Sequence, residues 1–113
     1  MISIYKGNDK TFVFFRKDTN GDVITTKPRN MLFSAKKGYS SDLILIRKTF
    51  ENGITQNEDG SWSIKIDAED TKSLDVSNEK IVLVCDVKII DEYGNNVTIV
   101  KPQDFVVLPV VTN

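Results

Sequence analysis

Residues 80–109 read KIVLVCDVKII, DEYGNN, VTIVKPQDFVVLP, two apolar runs on either side of a turn-rich hexapeptide. That order is a hairpin signal, and it decides the fold class. In the first run Ile81, Leu83, Cys85, Val87 and Ile89 fall on one face. Val82, Val84, Asp86, Lys88 and Ile90 fall on the other, so the first face is the one to bury. The last run, residues 105–111 (FVVLPVV), is apolar on both faces. Pro109 lacks the N–H that a central strand uses, which makes that end an expected sheet edge. Phe105, Val106, Val107, Leu108 and Val110 are therefore candidate protein-interface residues, because apolar surface on an edge invites another chain.

The same pattern recurs upstream. Ile2 and Ile4 alternate in a short opening strand. Residues 11–17 (TFVFFRK) place Phe12 and Phe14 on one face and Val13 and Phe15 on the other. One pair must face the core, and the other is either covered or open to a partner. An Asn-Gly turn at Asn20-Gly21 leads to a short extended piece at residues 23–26, which Pro28 ends. Residues 31–37 (MLFSAKK) and 43–50 (LILIRKTF) read as further strands. The Asp59-Gly60 turn opens residues 61–67 (SWSIKID), where Trp62, Ile64 and Ile66 point one way, with Trp62 the best candidate for the centre of the core. The one helical signal is residues 67–74. Asp67 is placed to cap it, and Glu69 and Asp70 sit where the helix dipole favours negative charge. The chain is expected to form one domain, residues 1–113, built as an all-β, immunoglobulin-like antiparallel β-sandwich of about seven to nine strands with one short helical turn.

Composition narrows the chemistry. The chain has no histidine, which removes the commonest general base and the commonest metal ligand. Its single cysteine, Cys85, can form no intrachain disulfide and reads as a buried structural thiol. The adjacent carboxylate pairs Glu58/Asp59, Glu69/Asp70 and Asp91/Glu92 lie in turns or a helix start, where neighbours point apart. Glycoside hydrolysis needs two carboxyls set across a cleft. No catalytic, cofactor-binding or metal site is assigned, and no cofactor is expected. No apolar run reaches the ~20 residues that span a bilayer, so no membrane partner is expected. The opening MISIYKGNDK lacks the order of a secretion signal, so cytoplasmic synthesis is expected.

Charge is uneven. Residues 1–50 carry ten Lys/Arg against four Asp/Glu, whereas residues 51–113 carry five against twelve. Basic strands lying beside acidic ones explain this simply; a dipolar surface that stacks copies is the sharper alternative. The basic residues are not interleaved with aromatics, which argues against a nucleic-acid surface. The loop tyrosines Tyr39 and Tyr93 are candidate ligand contacts.

The order of signals resembles a family of short phage and prophage proteins with an immunoglobulin-like sandwich, related to the N-terminal domain of phage baseplate upper proteins. The resemblance rests on Gly7 to Phe12, the Asp18-Thr19-Asn20-Gly21 turn, Phe33 to Lys37, Gly53-Ile54, Asp59 to Ile64, Ala68 to Thr71 with Leu74, and the closing hairpin. It departs at residues 23–29, where an apolar step is replaced by Thr25-Thr26-Lys27-Pro28. The resemblance implies a non-catalytic virion component, assembled in the host cytoplasm and attached to other tail or baseplate proteins, with homo-oligomers as a further expectation. A carbohydrate-binding or adhesion module is the alternative; an enzyme is the third and weakest.

Overall fold

The computed structural model describes residues 2–38, 43–74 and 79–110. Eight strands and one helix follow in order: β1 (Ile2–Tyr5), β2 (Lys10–Phe14), β3 (Asn30–Lys36), β4 (Ile44–Lys48), β5 (Ile54–Gln56), β6 (Trp62–Ile66), α1 (Ala68–Lys72), β7 (Ile81–Ile90) and β8 (Asn96–Leu108). They form a five-stranded sheet, β1-β8-β7-β3-β4, and a three-stranded sheet, β2-β6-β5. The result is an all-β, immunoglobulin-like sandwich with one short helix, as the alternation predicts.

Alternation explains which face each strand buries. Leu83, Cys85, Val87 and Ile89 of β7 are buried, as are Met31, Phe33 and Ala35 of β3 and Trp62, Ile64 and Ile66 of β6. These residues meet in a single core cluster. Phe105 ties the layers together by a ring contact to Phe12 of the other sheet at 6.3 Å, and meets Phe33 of its own sheet at 6.0 Å. Trp62 is among the largest fully buried side chains and packs on Phe50 at 5.5 Å. Its Nε1 has no hydrogen-bond partner among the described residues.

Two expectations change. The sandwich is not wholly antiparallel, because β1 pairs parallel to β8, with Ile2 opposite Phe105 and Tyr5 opposite Leu108. The end of β8 is consequently not a sheet edge: β1 covers one side and β7 the other. Pro109 lies just past the strand, so it removes no ladder bond there. The proline that sits inside β8 is Pro102. The register with β7 moves from Cys85–Gln103 to Val87–Val100. Lys101 and Pro102 therefore oppose Asp86 alone, a bulge that accommodates the missing N–H.

The helix is held from a distance. Asp67 is its N-cap residue, and the Asp70 carboxylate accepts the Asp67 N–H at 2.7 Å. Asp9, in the β1–β2 turn, accepts the Ala68 N–H at 2.7 Å, and Thr71 Oγ1 accepts the Gly7 N–H at 2.8 Å. Strand β2 stops at Phe14 rather than at residue 17. Arg16 turns inward and bonds Glu92 at 2.6 Å and the Thr26 carbonyl at 3.2 Å.

Gly53 is required where it sits. Its φ is +99°, and an added Cβ would lie 2.9 Å from Lys48 Cδ and 3.0 Å from the Lys65 carbonyl oxygen. Gly21, at φ +85°, has open space around it. We expect Gly21→Ala to cost about 1 kcal/mol, the backbone term alone. Gly53→Ala should cost roughly 2–3 kcal/mol because a packed neighbour and a backbone carbonyl must also move. Urea midpoints of the two variants check the difference.

Candidate functional site

The interface residues read from the sequence divide between the two faces of β8. Phe105 and Val107 point into the core and are fully buried. They are not available to a partner, which corrects the expectation of a free apolar margin; β1 occupies the side that the sequence leaves open. Val106 is buried outside the core cluster, and Leu108 and Val110 are half-buried. Val106 lies opposite Val82, and Leu108 opposite Tyr5. Val82 and Tyr5 are both exposed. An apolar stripe thus crosses the outer face of the larger sheet through Tyr5, Leu108, Val106 and Val82.

Tyr93 stands 83% exposed at the tip of the β7–β8 turn. Asp91 builds that turn by accepting the N–H groups of Tyr93 at 2.9 Å and Asn95 at 2.8 Å. The Asn95 N–H bond is the largest influence on the Asp91 carboxyl and, with that of Tyr93, holds it below its ordinary value against the opposing effect of burial. Tyr39 lies outside the described residues.

At least one member of each carboxylate pair has a structural partner. Asp59 accepts from the backbone and hydroxyl of Ser61, Glu69 pairs with Lys72, and Glu92 pairs with Arg16. Asp70 meets Lys48 at 2.7 Å, with Asp67 at 3.6 Å from the same Nζ. Among the described residues no group of three or more metal-ligating side chains occurs. The Arg16–Glu92 and Lys48–Asp70 pairs join the basic half of the chain to the acidic half. They do so between loops, helix and strands rather than across neighbouring strands of one sheet.

Two features escaped the sequence reading. Lys48 is only 1% exposed although it is a lysine. Its signal is parity: it shares a face of β4 with Ile46, which is buried. The second is a cleft of about 230 Å³ between the layers, bounded by Phe12 and Phe14 of β2, Ile2 of β1, and Val100 and Gln103 of β8. It opens because three strands cannot cover five. Beside it Val13 is 59% exposed and Phe15 44% exposed, which answers the question left by that strand: Phe12 and Phe14 face inward.

Cys85 lines the floor of this cleft and is buried. Burial, then the neighbouring Asp86 charge, pushes its thiol up to about 11. At pH 8 the thiolate is scarce, so a disulfide reagent should label the native protein slowly and the urea-unfolded protein fast. Equal rates would contradict the burial.

No family model matches the chain, and no curated protein matches it. Among solved structures, the chain is similar to CopC from Methylosinus trichosporium OB3b, at 16% identity over 77% of this chain and 70% of that one, with a TM-score of 0.42. A likeness at that level carries no functional argument.

Proposed function

We propose that this chain is a structural protein of a phage or prophage, associated with the tail or baseplate, that acts by assembling with other proteins and not by catalysis. The observation that carries the assembly reading is the apolar stripe on the outer face of the larger sheet, where Tyr5 and Val82 are exposed beside Leu108 and Val106. Exposed apolar side chains on a sheet face, set on either side of half-buried and buried ones, offer apolar area for a partner to cover. The phage assignment rests on the resemblance in the order of turns and strands. The test is the mass in solution at micromolar concentration, together with binding to the proteins encoded beside it. A higher oligomer or a bound tail protein, weakened by Val82→Asp, is the expected result. A strict monomer that binds none of them would refute the reading.

A carbohydrate-binding module is the second reading, and Tyr93 is the observation in its favour: an exposed ring on a turn braced by Asp91 is a ready stacking surface. Glycan-array hits that vanish with Tyr93→Ala would establish it, and an array without hits would remove it.

A further inference from the structure

We infer that two copies of this chain join edge to edge through β2, antiparallel about a two-fold axis at Val13, so that their three-stranded sheets continue into one another. This surface is separate from the outer-face stripe, and the inference does not rest on that reading.

The edge is open. Strand β2 pairs with β6 on one side and with no described strand on the other. The segment that returns after the Asn20-Gly21 turn does not cover it. That segment runs toward β5 and β6 instead, where the Thr25 carbonyl accepts the Gln56 amide at 2.8 Å and the Thr25 side chain packs against Gly60. Residues 11–15 carry no charge or proline of the kind that blunts an edge.

The side chains name the occupant. From Thr11 to Lys17 exposure alternates without a break. Thr11, Val13, Phe15 and Lys17 face water, while Phe12, Phe14 and Arg16 turn inward. Opposed residues in a sheet point to the same side, so a two-fold pairing must keep this parity. The register centred on Val13 matches the water-facing row to its own reverse. Val13 meets Val13, Thr11 meets Phe15 on either side of it, and Lys17 falls opposite Asp9 at both ends. Lys17 has no ion pair among the described residues. Asp9 is exposed and gives only one oxygen to the Ala68 N–H. Lys10 comes opposite Arg16, but that guanidinium is already neutralised by Glu92 at 2.6 Å and is 8% exposed. Moving the register by two residues sets Lys17 opposite Gly7 or Thr11 and loses both ion pairs. The Lys10–Asp18 pair that one such shift offers draws on groups held by the Ser3 carbonyl and by the Asn20 and Asp22 N–H groups. On the inward side Phe12 of each copy meets Phe14 of the other at the mouth of the cleft, which covers rings that one copy leaves half-buried. A contact between identical copies must be complementary to itself, and this row is. A different protein would have to reproduce the same reversed row to fit as well.

The experiment measures the mass of the full chain and of Val82→Asp over a dilution series up to about 1 mM. A dimer in both is expected, since Val82 lies on the outer face. Lys17→Glu should weaken it about tenfold by turning two attractions into two repulsions. Val13→Asp, which sets two carboxylates face to face, should leave a monomer. A thiol at the axis reads the register. Val13→Cys should form an intermolecular disulfide in oxidised glutathione about tenfold faster than Thr11→Cys, because only residue 13 faces its own copy at a bridgeable distance. The wild-type chain, whose one thiol is buried, is the control. The inference is overturned by a monomer at about 1 mM, by a dimer that Val82→Asp dissolves, by a dimer indifferent to Lys17→Glu, or by equal cross-linking at the two positions. Self-association lost with Val82→Asp, or a monomer that still binds a tail protein, would sustain the outer-face reading while this one fails.

Discussion

Replacing Asp70 with alanine should destabilise this protein by about 3–4 kcal/mol, because it strips the main partner from a buried ammonium. Lys48 Nζ sits 2.7 Å from the Asp70 carboxylate and 3.6 Å from that of Asp67, with its side chain 2% exposed. A lysine so placed cannot recover its hydration without opening the sandwich. Asp67 remains after the substitution, but its contact is longer and its carboxylate is 47% exposed. The same substitution deletes the acceptor of the Asp67 N–H at the start of α1. Loss of such a cap contributes about 1 kcal/mol of the total. Lys48→Met should behave differently. Methionine keeps the volume and removes the charge, so the change should fall within about 1 kcal/mol of neutral. The double variant should then recover most of what Asp70→Ala loses. Urea unfolding of the three variants gives the coupling directly. If Asp70→Ala loses under about 1 kcal/mol, or if Lys48→Met is the more damaging change, the ion pair is not what holds β4 to the helix.

The second large effect is at Trp62. Trp62→Ala should lose about 4 kcal/mol, since the indole is fully buried between the layers and its removal leaves a cavity beside Phe50. Against a total stability of roughly 5–15 kcal/mol, that is enough to leave part of the population unfolded at 37 °C. Trp62→Phe should lose only about 1–2 kcal/mol. It gives up part of the ring but also removes a buried N–H that has no acceptor among the described residues. Thermal melts followed by circular dichroism separate the two. Equal losses would mean that the Nε1 proton is satisfied in solution.

The period-2 alternation of β7, β3 and β6 made their buried faces legible, because a strand with one wet side writes its orientation into every second residue. Trp62 and the Asn20-Gly21 and Asp59-Gly60 turns were legible for equally local reasons. Pairing between distant strands was not. Nothing in ISIY says that its partner is FVVL, since neither run carries a mark of direction or neighbour, and so the closing strand looked like an edge. The burial of Lys48 was masked by residue type: lysines ordinarily reach water, and only its shared parity with Ile46 hinted otherwise. The cleft beside β2 comes from the unequal widths of the two sheets, a property of the assembled layers that no segment carries alone.

The parallel pairing of β1 with β8 has a consequence for biogenesis. Ile2 and Ile4 leave the ribosome about a hundred residues ahead of the residues they join, Phe105 and Val107. Until translation reaches that point the opening segment has no docking site and must wait, solvated or shielded by a chaperone. Anything that slows synthesis of the closing hairpin therefore lengthens the interval in which those isoleucines can be captured by the wrong neighbour.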